Sequence, residues 1–322
     1  MQRRFLQEAV VAFIALAAGT MSFPANARGD IYVANFNGNT IGQYTNTGAT
    51  VNASLITGLI HPNGLALSGS DLFVSNSAYG AGTDGTIGKY TTFGATENST
   101  LVSNLFFPIG LAISGSNVFV ANADNHSIGE YTTSGQTVNA NLVSGLRWSI
   151  GVGVDATGSN LFVSNFDSGT ISEYTTSGAV VNAALISGLN SPGDLAVSGS
   201  DIFVYNDFYN GFTPGPGTIG EYTTSGAVVN ASLISGLTPG GGSIFVFGPA
   251  LFISNNTTGT ISEYTTTGDL VNASLISGLN DPAGIVVTPE PQASALIAAA
   301  GLGLLLRRSR RRRSLKTPAI PV

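Results

Sequence analysis

Six near-copies of one segment run from Asp30 to Val287, each closed by a tyrosine in the phrase T-I-[GS]-x-Y or a close variant of it: Tyr44, Tyr90, Tyr131, Tyr174, Tyr222 and Tyr264. Successive tyrosines are 46, 41, 43, 48 and 42 residues apart. A regular repeat of this length constrains the fold more than any single residue. Each copy is too short to bury its own apolar face, so the copies must stack on one another.

The copy from Leu161 to Ser200 shows what stacks. Leu161-Phe162-Val163-Ser164 is a compact apolar run ending in Asn165, suited to a strand covered on both faces. After a turn at Asp167-Ser168-Gly169, Thr170 to Tyr174 alternates, with Ile171 and Glu173 on one face and Ser172 and Tyr174 on the other. Thr176-Ser177-Gly178 makes a second turn, Ala184 to Leu189 the next strand, and Ser191-Pro192-Gly193 leads into Leu195-Ala196-Val197. Four short strands joined by tight turns, at a period near 43, describe one blade of a β-propeller. Between copies, the second position of the apolar run is always aromatic: Tyr32, Phe73, Phe119, Phe162, Phe203 and Phe252. These rings are expected in the core. Two residues before each repeat tyrosine stands Gly42, Gly88, Gly129, Ser172, Gly220 or Ser262, expected to leave room for a ring of the neighbouring blade.

The phase of the array predicts how it closes. The first copy begins at Ile31-Tyr32-Val33 without the strand that precedes later apolar runs, and that strand stands alone at the other end as Gly284-Ile285-Val286-Val287. It is expected to complete the first blade and so remove the exposed edges of the ring. The fold class is therefore all-β, a six-bladed β-propeller of four-stranded blades over residues 28–288. The pattern P-x-G-L-A-x-S-G-S-x-L-F-V-S-N…T-I-x-x-Y, best seen from Pro62 to Tyr90, resembles the NHL-repeat propellers. That architecture hosts lyases, lactonases and pure binding modules, so it implies a fold and not a reaction.

Charge narrows the partners. The chain has a formal net charge of −6, but nine of its twelve basic residues lie in the terminal segments. Between Arg28 and Val287 three basic residues face sixteen acidic ones, about −13 for the body. Such a surface repels nucleic acid. There is no cysteine, which excludes disulfides and thiol chemistry.

The two ends read as addresses. Arg3-Arg4, the apolar run Ala9 to Ala18 and the small residues ending in Ala25-Asn26-Ala27 have the order of a secretory signal peptide spanning 1–27. At the other end come Pro289-Glu290-Pro291, the apolar stretch Ala293 to Leu306, and the cluster Arg307, Arg308, Arg310, Arg311, Arg312 and Arg313, followed by a tail, 314–322. The apolar stretch has 14 residues, short of the ~20 of a secure spanning helix, and the arginines behind it mark a cytoplasmic side. Residues 289–313 resemble the PEP-CTERM sorting signal, with Thr288 where valine is common. The resemblance implies an exosortase-like processing enzyme as partner and export across the inner membrane of a Gram-negative bacterium. It further implies at least transient anchoring by a C-terminal hydrophobic helix, then a place at the cell surface among exopolysaccharide.

Ligand chemistry is expected on the face formed by loops that follow the second strand of a blade and precede the first strand of the next. Each second strand ends in asparagine: Asn35, Asn76, Asn122, Asn165, Asn206 and Asn255. Six amides could ring the mouth, or cap local backbone groups within each blade. Two loops on that face are lengthened, one carrying Tyr79 and Asp84, the other Phe208, Tyr209 and Phe212. Phe106-Phe107, Arg147-Trp148, His61 and His126 are expected on the same face. Rings beside Asn and Asp suit stacking on sugars, and the candidate ligand residues are Tyr79, Asp84, Arg147, Trp148, Phe208, Tyr209, Asn76 and Asn206. The recurrent Glu130, Glu173, Glu221 and Glu263, with Gln43 and Lys89 at the same repeat position, read as a solvated edge. No catalytic triad, phosphate loop or metal motif is present. The expected function is a cofactor-free binding or scaffold propeller at the cell envelope that contacts exopolysaccharide or surface proteins. The alternative is a lactonase- or lyase-like propeller using a divalent cation such as Ca²⁺.

Overall fold

The computed structural model describes residues 28–77, 84–207 and 215–289. All of their regular structure is β, in six four-stranded sheets. The expected signal peptide, the expected sorting signal beyond Pro289, the tail, and Tyr79, Phe208 and Tyr209 lie outside the described residues. Five sheets are consecutive in sequence. The second blade, for example, comprises Pro62–Ser68, Asp71–Asn76, Gly85–Thr91 and Thr96–Leu105. The first blade joins both ends of the ring: Pro282–Pro289 is its innermost strand, followed outward by Arg28–Asn35, Thr40–Tyr44 and Thr50–Ile56. The Phe36 amide donates to the Asp281 carbonyl (2.9 Å) and the Asp30 amide to Thr288 Oγ1 (3.0 Å), so the closing strand runs antiparallel to its partner. The closure expected from the phase of the repeat is the one observed.

Burial follows the order of strands within a blade. Second strands such as Asp71–Asn76 are buried along nearly their whole length, whereas outer strands such as Thr50–Ile56 are exposed until their last residues. The apolar side chains form six clusters, one at each seam between neighbouring blades. Strand alternation deals residues to the two sides: Ile31 and Val33 pack on the sixth blade, Tyr32 and Ala34 on the second. The aromatic at the second position of each run is buried, as expected, and each contributes about 1.5–3 kcal/mol by burial.

Two packing expectations are corrected. A Cβ at Gly42 would lie 2.6 Å from the hydroxyl of Tyr44, and Gly88, Gly129 and Gly220 stand in the same relation to Tyr90, Tyr131 and Tyr222. The ring over each glycine thus belongs to the same strand and not to the neighbouring blade. In the two serine blades a hydroxyl occupies this place: Ser172 Oγ accepts from Asn165 Nδ2 (2.9 Å) and donates to the Ala183 carbonyl (2.6 Å), and Ser262 does the same with Asn255 and Ala273. The second correction concerns the residue before each repeat tyrosine, which is not a solvated edge. Glu130 and Glu263 are only 7% exposed. Glu130 accepts from Asn117 Nδ2 at 2.7 Å, and Lys89 sits between Asp71 (2.9 Å) and Glu97 (2.8 Å).

The outer edges are blunted by one device used six times. Gln43 faces Asn52 while Ile41 faces Ile56, so the outer strand carries two extra residues in a bulge. There Asn52 Oδ1 accepts the Ser54 amide at 3.1 Å, with equivalents at Asn98, Asn139, Asn182, Asn230 and Asn272. The Asn-x-Ser phrases at Asn52, Asn230 and Asn272 therefore have a backbone cause.

Candidate functional site

In five blades the residue before the inner strand adopts a left-handed backbone: His61 (φ 48°), Phe107 (49°), Trp148 (49°), Ser191 (48°) and Asp281 (57°); in the sixth, Gly240 (110°) does so four residues before Ile244–Phe247. In those five blades its carbonyl is held by the chain leaving the second strand. Ser77, Ala123, Phe166, Asp207 and Phe36 donate their amides to His61, Phe107, Trp148, Ser191 and Asp281 over 2.9–3.2 Å. A non-glycine residue in this region costs roughly 1–2 kcal/mol. The chain uses glycine freely at positive φ in its turns, as at Gly48, Gly94 and Gly135. At the mouth of the ring it keeps His, Phe, Trp, Ser and Asp instead.

Two of these residues, Phe107 and Asp281, line a cavity of about 340 Å³ at the centre of the ring, together with Phe36, Asn63, Asp194 and Asn256 among others. The size falls within the range of small-ligand sites. Phe36 also lies against His61, with ring centroids 4.7 Å apart, and Asn37 Nδ2 donates to Asp281 Oδ2 at 2.9 Å. Burial raises the Asp281 carboxyl above the usual carboxylate range.

Below the mouth the inner strands meet backbone to backbone. A Cβ at Gly64 would stand 2.1 Å from the Ile109 carbonyl oxygen, and one at Gly110 2.5 Å from that of Ile150. Gly151 and Gly284 are equally confined. The same repeat position holds Asp194 in the fifth blade and Ser243 in the sixth, and these two departures meet. Ser243 Oγ donates to Asp194 Oδ2 at 2.5 Å, joined by the amides of Ile244 (3.2 Å) and, on Oδ1, Leu195 (2.9 Å). Burial raises the Asp194 carboxyl, and those three donors partly offset it. The seam is irregular in its floor too. Where Ser75, Ser164 and Ser254 bind inner-strand backbone, the fifth blade has Tyr205, fully buried, with its hydroxyl on the Thr238 carbonyl (3.3 Å). Next to it Asp207 accepts the amides of Gly240 and Gly241, and burial raises its carboxyl.

The residues singled out from sequence are distributed as follows. Trp148 stands on the rim, 38% exposed, its amide donating to His126 Nδ1 at 3.3 Å, with exposed Arg147 beside it. Asp84 is exposed at the end of its lengthened loop. Asn76 and Asn206 are buried, as are the other four asparagines. Asn76 Nδ2 donates to Thr86 Oγ1 (3.2 Å), and Asn35, Asn165 and Asn255 make the equivalent bond to Thr40, Thr170 and Thr260. None of the six asparagines is among the residues that line the cavity. Sequence reasoning missed Asp194, Ser243, Phe36 and Asp281. Asp194 and Ser243 had a signal, since they interrupt a position otherwise held by glycine. Among the described residues no three His, Asp or Glu side chains converge as metal ligands.

No protein-family model matches the chain, and no curated protein matches it. Solved structures do match in fold. A chain of the nidogen–laminin complex superposes with a TM-score of 0.61 at 13% identity, over 80% of this chain and 98% of that one. A 6-phosphogluconolactonase candidate from Bacteroides uniformis gives 0.60 at 13% identity over 81% and 99%. Virginiamycin B lyase from Staphylococcus aureus gives 0.55 at 16% identity over 81% and 88%. At these identities the likeness establishes the propeller architecture alone.

Proposed function

We propose that this propeller is a saccharide-binding module of the cell envelope, exported by its N-terminal segment and sorted through its C-terminal one by an exosortase-type enzyme. The observation that carries the reading is the central cavity, where Phe36 and Phe107 stand among the lining with Asn63, Asn256, Asp194 and Asp281. Rings supply faces for pyranose stacking, and amides and carboxylates supply partners for hydroxyls. A rigid ring preorganises them, which lowers the ordering cost of binding. A long exopolysaccharide engaging many copies gains avidity. Co-sedimentation of the full chain with purified exopolysaccharide, compared with its Phe107→Ala and Trp148→Ala variants, tests the reading. Retention lost in the variants supports it, and retention equal in all three removes the rim from the mechanism. Fractionation of cells expressing the full chain tests export separately.

The second reading, a lactonase- or lyase-like enzyme using a divalent cation, draws its support from Asp194, a buried acid facing the cavity, and from the fold shared with such enzymes. A cation-selective rise in melting temperature together with lactone or ester turnover would establish it.

A further inference from the structure

We propose that the mouth selects saccharides bearing free amino groups, a deepening that rests on the saccharide-binding reading. The charged residues among those lining the cavity are Asp194 and Asp281, and the lining includes no Lys, Arg or His. The propeller body around it carries about −13. A uronate or sulfated glycan approaching this mouth meets like charge at short range and a repulsive field at long range. A neutral sugar meets neither penalty nor reward. An amino sugar brings an ammonium group that can form a charge-assisted hydrogen bond to a carboxylate. Phe36 and Phe107 line the same cavity, and their faces attract a cation as well as a sugar ring. Asp281 is the better placed of the two acids to meet a ligand. It stands on the rim with one oxygen held by Asn37, whereas Asp194 is committed to three donors of its own seam. Burial holds both carboxyls above their ordinary range, and a bound ammonium group would relieve that.

The test is calorimetric titration of the full chain with oligomers of glucosamine, of N-acetylglucosamine and of galacturonate, matched in length, at near-neutral pH and low salt. The expected result is binding of the glucosamine oligomer about tenfold or more tighter than of its N-acetylated counterpart, with no binding of the galacturonate. Raising the salt to molar levels should narrow the first difference, and Asp281→Asn should abolish it. The variant's melting temperature, compared with that of the parent, shows that it is folded. Equal affinity for the two glucosamine series overturns the amine selectivity while leaving saccharide binding intact, and so does tighter binding of the galacturonate. Failure of all three oligomers overturns both. A lysine homopolymer that binds more tightly than the glucosamine oligomer overturns the proposal in favour of a basic protein partner.

Discussion

Thr288 and Asp30, 258 residues apart, are bound to each other twice: the Asp30 amide donates to Thr288 Oγ1 and that hydroxyl donates back to the Asp30 carbonyl at 3.2 Å. This pair locks the last strand of the array onto its first. Thr288→Val keeps the shape and loses both bonds, and is expected to cost about 1–2 kcal/mol, read from the midpoint of urea unfolding. Deleting residues 282–288 goes further, since it bares the edge of Arg28–Asn35 and takes Ile285 and Val287 out of the seam to the sixth blade and Val286 out of the seam to the second. That truncation should lose its sharp melt and elute as aggregate on size exclusion.

Gly64 and Gly193 make a matched pair for a second prediction. A methyl group at Gly64 would press on the Ile109 carbonyl of the next blade at 2.1 Å, whereas at Gly193 the nearest atom, the Tyr205 carbonyl oxygen, is 3.7 Å away. Gly64→Ala should destabilise by roughly 2 kcal/mol or more, because backbone cannot move aside in a closed ring. Gly193→Ala should be neutral or stabilise by up to ~1 kcal/mol, through the unfolded chain. Thermal melts of both variants decide it, and similar losses at the two positions would contradict the backbone contact.

Stability should rise on mild acidification. Burial lifts the carboxyls of Glu130, Glu173, Glu221, Asp194, Asp207 and Asp281, with neighbouring Asp155 and Asp201 adding to Glu173 and Glu221. Each of these groups holds its proton more firmly folded than unfolded. Its contribution is therefore complete below about pH 4 and is lost as pH rises through the higher folded value. Asp155 runs the other way. Its desolvation is outweighed by the Thr157 hydroxyl and the amides of Ser159, Asn160 and Gly158, so its contribution fades as pH falls. Six groups against one predict a higher melting temperature at pH 5 than at pH 8. The reverse order would mean that the buried carboxyls are better solvated than their positions indicate.

Phe93 offers a gain. It stands 86% exposed at a hairpin tip where five other copies carry Ser or Thr. In those copies the hydroxyl bonds to the threonine two residues earlier, as in Thr132–Ser134 and Thr175–Ser177, both 2.8 Å. Phe93→Ser restores that bond with no core to disturb. The expected outcome is an unchanged or slightly raised melting temperature, within about 0.5 kcal/mol, and weaker retention on a hydrophobic column. A clear loss of stability would show that the ring packs on the blade surface after all.

The blade count, the strand order within a blade and the closing strand were legible because each rests on a pattern repeated six times. Phe73, Phe119 and Phe162 could be assigned to the core for the same reason. The site was legible only as a face. Trp148 and Phe107 were placed on it by their position before an inner strand, but their left-handed backbone leaves no trace in composition. Asp194 escaped because a single copy looks like noise beside five, and its meaning depends on Ser243, which is 49 residues away and adjacent only once the ring exists. The partner of each small residue was misjudged for a local reason. Strand alternation tells which face Tyr44 shares with Gly42, but not that the ring lies back along its own strand.

The repeat unit and the folding unit are different objects here. Every apolar cluster straddles a seam, so a blade cut from the ring would carry parts of two cores and the whole of none. A seventh copy inserted in frame would bring its own material for one new seam and leave every existing one satisfied, provided the ring widened to admit it. A copy broken off part-way would leave two neighbours unsealed at once. Growth by whole repeats is thus open to such a chain, and partial loss is penalised on both sides of the gap.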